Sequence, residues 1–472
     1  MRVFYALLLF IISSPLFSQT VVERSVSRQQ FTEDMQFLVT TVEHVHPNPY
    51  HAISKERFNA LTDSLSATLK DSVSIREAWK LLSLIMAAYD EGHSSINYPA
   101  ELQAQIRKDS VPVFPVLVRD FNGEGLTVRF DLSDDSLLHT GDIITHINGE
   151  TVPALLARLS ALYGGLTNWR HTQILRDFSG QLVLQNILPP YRIGYTSNGI
   201  KKETVVRPLR LSQLLARAGE VRKKNAVAAV TPANYSFQRT TENAGYLNFR
   251  SMKDLPAFER FLDSVFTDIK NNPVNGLIID LRQNGGGNSA LGEKLIDYIS
   301  SKPYRMGGGS TWKVSDEYKT FIREQAGNNA VYANGPFQSY LSSSSGTVIS
   351  ALNSKLHTPG KNKLRYKGKV CVLTGPNTFS SANMLSNAIK DYQLATIIGE
   401  TTGEPCNDYG ELYWNKLPHT ELQFFTCTKQ FIRANGDAAD PNPVLPDITV
   451  KQSPHSLKDE VLEFAKEWVR GK

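Results

Sequence analysis

Two segments of the chain bring a chemically useful residue to a backbone geometry that can exploit it. The first is Leu277-Ile278-Ile279-Asp280-Leu281-Arg282-Gln283-Asn284-Gly285-Gly286-Gly287, an apolar run that delivers three glycines to the end of a buried strand. Backbone N–H groups unobstructed by side chains can converge there on an oxyanion or a phosphate, and ligands of open α/β sheets collect at that edge. The phosphate version lacks its motif, because neither Gly-x-x-x-x-Gly-Lys-Ser/Thr nor Gly-x-Gly-x-x-Gly follows the strand. A structural tight turn would use the same glycines. The second segment, Leu373-Thr374-Gly375-Pro376-Asn377-Thr378-Phe379-Ser380-Ser381-Ala382-Asn383, turns from a strand to serine at the start of a helix. A hydroxyl there meets the positive end of the helix dipole, and the next backbone N–H can stabilise charge on an attacked carbonyl. That is the geometry of an acyl-transfer serine, although Ser380 and Ser381 also suit plain helix capping.

The elements that must position these groups alternate from Ala244 onward. AGYLNF reads as a strand, Leu255 to Lys270 as a helix, VNGLIIDLR as a buried strand, and Ala290 to Ser300 as a helix. Then come the strand KVCVLTG, a helix from Ser381 to Tyr392 and the strand ATIIGE, which together predict an α/β core with largely parallel strands. The stretch from Ser301 to Lys367, with Gly307-Gly308-Gly309 and Ser342 to Ser345, reads as an insertion, of a length that suits a cover over a site. Ahead of the core, Phe31, Met35, Leu38 and Val42 recur at helical spacing up to His46-Pro47-Asn48-Pro49. A second helix carries Phe58, Leu61, Leu65 and Leu69. A third opens at Ser74-x-x-Glu77, a capping-box spacing, and ends near Gly92, which leaves His93 on a loop. Between Val111 and Val206 the texture is β-rich, with Asn148-Gly149 as a tight-turn signal.

Composition bounds the rest. The 472 residues carry 51 Lys+Arg and 46 Asp+Glu, and a net charge of +5 is too small for the footprint of a dedicated nucleic-acid binder. Cys371, Cys406 and Cys427 cannot all pair, no CxxC occurs, and Cys371 sits in a buried-strand pattern. His44, His46 and His51 straddle two prolines and have no acidic partner at metal-ligand spacing, so no metal is expected there. MRVFYALLLFIISSPLFSQT reads as a cleaved signal peptide: Arg2, an apolar run from Val3 to Ile12 short of the ~20 residues a bilayer needs, then small Ser18. Export to the periplasm or medium is the expectation, with no stable membrane span after cleavage.

Taken together these segments resemble the tail-specific, or C-terminal processing, serine peptidase family. The specific pieces are Ile279-Asp280-Leu281-Arg282-Gln283-Asn284-Gly285-Gly286-Gly287, Thr378-Phe379-Ser380-Ser381-Ala382, Ile398-Gly399-Glu400-Thr401-Thr402-Gly403 and Leu445-Pro446-Asp447-Ile448. Gly141 to Gly149 is similar to the carboxylate-binding loop and strand of a PDZ-like domain. The resemblance implies a multidomain α/β chain. Its parts would be a signal peptide (1–19), an N-terminal helical domain (20–105), a PDZ-like module (111–207), a linker (208–234), a ClpP/crotonase-like peptidase core (235–452) and a C-terminal helix (453–472). It implies Ser380 as nucleophile, the N–H groups of Ser381 and Gly286 as oxyanion hole, no cofactor, and a protein or peptide substrate whose C-terminal carboxylate or an extended strand the PDZ-like module would capture. Nucleic acid is not an expected partner.

One departure selects the branch. The best-known members pair the serine with a lysine just after the Gly-x-x-Thr-x-Gly stretch, a position that falls here at Glu404-Pro405. Lys390 lies about 15 Å along the same predicted helix from Ser380, at ~1.5 Å per residue, and is a poor substitute. The tricorn-core and Bacteroidetes-type branch takes its base from a histidine in the N-terminal region, and Asp90-Glu91-Gly92-His93-Ser94 is similar to that motif. His93 is therefore the expected base. Asp440 falls where tricorn-like members have a third, acidic residue, with Glu411 as competitor; Gly92 stands where they have a serine, a role Ser94 could take only if the loop turns differently. An exported serine endopeptidase is the expectation. The alternative is a binding protein for an apolar ligand or peptide that keeps the fold without turnover.

Overall fold

A computed structural model describes residues 23–224, 233–327, 332, 335–453 and 456–471. The expected signal peptide and part of the expected linker lie outside the described residues. No helix among the described residues is long and apolar enough to cross a membrane.

The strands that deliver the glycine run and Ser380 belong to a six-stranded sheet ordered Tyr235–Arg239, Gly245–Phe249, Leu277–Asp280, Val370–Thr374, Thr396–Gly399 and Ile448–Thr449. All but the first pair run parallel. Strand alternation sends Leu247, Ile279, Val372 and Ile397 to a core shared with the helices Leu255–Asn271, Ala290–Ile299 and Ser381–Asp391. Ile278, Cys371, Leu373 and Ile398 face the opposite way, against Val461, Ala465 and Val469 of the helix Glu460–Val469. Both faces are covered, which is why these strands read as unbroken apolar runs. Arg282, just past the strand, pairs with Asp280 (2.6 Å) and Asp459 (2.7 Å), tying that last helix to the sheet.

The stretch read as an insertion is instead built into a second, antiparallel sheet. Its strands Val348–Leu352 and Gly309–Lys313 extend the long hairpin of Asp408–Lys416 and Gln423–Ile432. Trp312, Tyr318, Phe337 and Tyr340 form an aromatic core beneath it with Tyr413. The pairing is non-local, so nothing in the local pattern of this stretch announced it.

The N-terminal helices Arg28–Val45, Lys55–Ala67 and Ile75–Ala87 close a core that includes Leu417, Leu422 and Phe424 of the same hairpin. That packing folds the start of the chain back onto the second half. The segment Val116 to Val206 forms an antiparallel sheet ordered Val116–Phe121, Leu126–Asp131, Ile143–Ile147, Tyr191–Ser197 and Ile200–Val206, with the helices Val152–Ser160, Thr167–Arg176 and Phe178–Leu184 between its strands. All three cysteines are buried and free.

Candidate active site

Parallel pairing of Asp280 with Leu373 and of Thr374 with Gly399 brings three strand ends to one edge. The turn after Thr374 is fixed by Thr378, whose hydroxyl donates to Leu281 O (2.9 Å) and accepts from Gly375 N (3.1 Å), and by Phe379 N donating to Asn284 O (3.1 Å). Ser380 then heads the helix Ser381–Asp391 with φ 54° and ψ −131°. A non-glycine residue held there costs on the order of 1–3 kcal/mol and persists only where the surroundings over-determine it. Its hydroxyl makes no capping bond, so the capping explanation does not account for this serine.

Of the three glycines, only two are demanded by space. A Cβ on Gly285 would meet nothing within 4 Å, whereas one on Gly286 (φ +95°) would lie 2.7 Å from Ser380 Cβ and 2.8 Å from Ser381 N. One on Gly287 (φ +132°) would strike Met252 O at 2.4 Å. The glycine run and the serine turn are thus in direct contact, and Ser381 Oγ donates to Gly287 O across them (2.6 Å). The Gly286 N–H donates to Asn284 Oδ1 (2.9 Å). In this arrangement it is held within the loop, whereas the Ser381 N–H adjoins the serine as the first of its helix. Gly286→Ala is expected to lower thermal stability by at least about 1–3 kcal/mol from backbone strain alone and to abolish labelling of Ser380 by a fluorophosphonate. Retained labelling would mean that the contact with Ser380 has no functional weight.

His93 reaches this edge on the loop after the helix Ile75–Ala87. Ser95 and Ile96 pair with Phe425 and Phe424 of the hairpin, and Ser94 Oγ meets Thr426 Oγ1 (2.9 Å) while donating to Glu91. Cys427 Sγ contacts Glu91 (3.3 Å) and His93 O (3.6 Å). Burial works against the Glu91 carboxylate, but His46 (3.2 Å), Ser94 and Cys427 outweigh it and hold its pKa at about 2. His46 therefore does have an acidic partner, supplied by a residue far away in sequence. Ser94 faces this cluster.

The imidazole of His93 is 8% exposed and its ring lies 4.5 Å from that of Phe379, the residue before Ser380. Burial depresses its pKa to about 4, the nearby Glu91 charge acting the other way, so the ring is neutral at pH 7. Its Nδ1 faces Glu404 Oε2 at 3.4 Å, and Glu404 Oε1 accepts the Ser380 N–H. One carboxyl group thus touches both the histidine loop and the serine backbone. Glu404 is pushed well above the usual carboxylate range by burial first and by Asp408 second; burial likewise raises Asp408.

The two acids expected as third member have other partners. Asp440 pairs with Arg433 and caps Asn442 N (2.9 Å), and Glu411 accepts from Tyr318 O–H (3.0 Å) in the aromatic core. Lys390 pairs with Asp447, away from Ser380. Sequence reasoning met Glu404 only as the absence of a lysine. The signal was there: a titratable side chain at the position where relatives place their base partner.

A second missed residue is Trp169, in the helix Thr167–Arg176, whose ring stacks on Phe379 at 3.8 Å and 8°. Around it Asn168 donates to Thr401 O (3.3 Å) and Thr402 O (3.1 Å), Arg170 pairs with Asp90, and Arg176 reaches Asn377 (2.7 Å). This wall explains Gly92. A Cβ there would lie 2.6 Å from Phe379 Cζ and 2.8 Å from Trp169 Nε1, so a serine before this histidine would have to displace the wall. Gly92→Ser is expected to slow labelling of Ser380 roughly 10²-fold, the scale of a 1 Å misplacement of reacting groups. A rate within a factor of two of the parent would show that the wall yields freely.

Residues 243–450 match the family model of Peptidase family S41. The chain accordingly carries the core of that family, the tail-specific serine peptidases, and is a serine-type peptidase in class. Among solved structures it is similar to mature CPAF, at 14% identity and a TM-score of 0.65 over 94% of this chain and 96% of that one. It is equally similar to mature CPAF complexed with lactacystin (14%, 0.65, 94% and 98%). The photosystem II D1 C-terminal processing protease matches at 14% identity and a TM-score of 0.44 over 94% and 97%. No curated protein matches the sequence.

Proposed function

We propose that the chain is an exported serine endopeptidase in which Ser380 attacks a peptide carbonyl and His93, not a lysine, serves as base. The Ser380 Oγ proton passes to the neutral imidazole as the tetrahedral adduct forms, and from there to the leaving amine; a water then releases the acyl group by the same route. The Ser381 N–H receives the oxyanion, joined by the Gly286 N–H once Asn284 releases it. Glu404 takes the orienting part that the resemblance gave to Asp440. The observation that carries this reading is the single Glu404 carboxyl bonded to the Ser380 N–H on one oxygen and facing His93 Nδ1 on the other.

The antiparallel sheet of residues 116–206 acts as the PDZ-like module and receives the substrate's C-terminal segment. An apolar cavity of about 500 Å³ beside it, lined by Leu102, Ile106, Val113 and Leu214 together with Arg107 and Arg176, suits a chain end carrying a carboxylate.

A fluorophosphonate probe followed by peptide mass mapping tests the proposal: one adduct, on Ser380, is the expected result. Folded protein that takes up no probe would favour the second reading, a peptide or apolar-ligand binder on the same fold. The Gly286 N–H bond to Asn284 is the observation on that side.

A further inference from the structure

Two buried groups of metal-ligating side chains flank the His93 loop: His46, Glu91 and Cys427 on one side, and His93, Glu404 and Asp408 on the other. In each, the donor atoms lie within 4.8 Å of one another. Both offer imidazole plus carboxylate, a donor set that suits zinc-type divalent cations. The imidazole tautomer separates them. His46 Nδ1 accepts the Asn48 N–H (3.0 Å), which leaves the ring proton on Nε2, the nitrogen facing Glu91. A metal would need that nitrogen bare, and the other one protonated. The Asn48 bond therefore sets the tautomer against a metal at His46, whose Nε2 lies 3.2 Å from Glu91 without a well-aligned hydrogen bond.

At His93 the constraint is absent. Nδ1 to Glu404 Oε2 is 3.4 Å, long for an N–H···O bond, whose usual range is about 2.7–3.2 Å. It is, however, roughly the edge of a tetrahedron whose centre lies ~2.0–2.1 Å from each donor. Glu404 Oε1 is taken by Ser380 N–H, leaving Oε2 for a cation. Asp408 is 7% exposed; one hydrogen bond joins its carboxyl to that of Glu404, and its Oδ1 has no donor of good geometry. Asn383, wholly buried against Glu404, donates Nδ2 to Pro405 O (2.9 Å) and leaves its own Oδ1 equally unpartnered. Among the described residues neither carboxyl has a Lys or Arg ion-pair partner.

We propose that a zinc-type divalent cation binds His93 Nδ1, Glu404 Oε2 and the Asp408 carboxylate, and that the bound cation holds the peptidase inactive. On binding, the Nδ1 proton is transferred to Nε2, and any proton retained by the two carboxyls leaves to solvent. The imidazole then has no free lone pair for the Ser380 proton. The inactivation half rests on the reading of His93 as base; the site itself does not.

The test separates the two. The whole chain carrying Ser380→Ala, stripped with EDTA, is titrated with zinc chloride by calorimetry. One site with Kd at or below about 1 µM is expected, lost in a His93→Ala background and weakened at least about tenfold by Asp408→Asn. No binding at about a hundred times that concentration, or binding unchanged by His93→Ala, overturns the site; His93→Ala alone decides if Asp408→Asn does not fold. On the Ser380 protein, zinc is expected to stop fluorophosphonate labelling and EDTA to restore it. Zinc bound at this site with labelling undiminished overturns the inactivation and leaves the site standing. Failure of the metal-free protein to label sinks the peptidase reading, while the calorimetry still reports on the metal.

Discussion

Ser380→Ala is expected to remove turnover of any peptide substrate by roughly 10⁶-fold, the scale seen when the nucleophile of a cooperating set is deleted. The structure gives the reason residue by residue. The hydroxyl is uncommitted, its backbone is held at φ 54°, and the neighbouring Ser381 hydroxyl is donated to Gly287 O and cannot stand in. Folding should change little, because the side chain caps nothing and is only partly buried. The measurement is hydrolysis of an unstructured protein substrate together with a melting curve. Turnover above about 1% of the parent, far over the residual that binding and oxyanion donors leave, would remove Ser380 from the chemistry.

The second large effect is His93→Ala, expected to cost about as much as loss of the serine, since nucleophile and base act as a unit. The informative comparison is with the two acids. Glu404→Gln keeps the shape but presents an amide to Nδ1 and should cost up to about 10⁴-fold, the scale of a base held in the wrong tautomer. Asp440→Asn should leave the rate within a few-fold and act on stability, because Asp440 holds Arg433, which also bridges to Asp391 (2.6 Å). Peptide hydrolysis by the three variants, beside their melting temperatures, ranks them. If Asp440→Asn proves the slow one and Glu404→Gln the near-neutral one, the acid expected from resemblance is right and the geometry at Glu404 is incidental.

Much of the core was legible. The strands Leu277–Asp280, Val370–Thr374 and Thr396–Gly399 announce themselves as apolar runs because both faces of their sheet are covered, and the helices by their period. The stretch from Ser301 to Lys367 was misread because Gly309–Lys313 and Val348–Leu352 acquire their meaning only from pairing with Gln423–Ile432 and with each other. Gly92 is similar: its place in the motif was visible, but the crowding by Phe379 and Trp169 that a side chain would have to displace was not.

The sequence by itself determined which residue types are presented at turns: a serine at a helix start, glycines at a strand end, a histidine past a helix. Local periodicity and the sterics of glycine and proline decide these without reference to the rest of the chain. Only the tertiary structure decided which acid meets the imidazole. Asp440 and Glu404 were both within reach along the chain, and Arg433 claims the first while the turn after Gly403 buries the second between His93 and Ser380. Such a pairing depends on where three separately folded segments come to rest, and residue spacing carries no record of that distance.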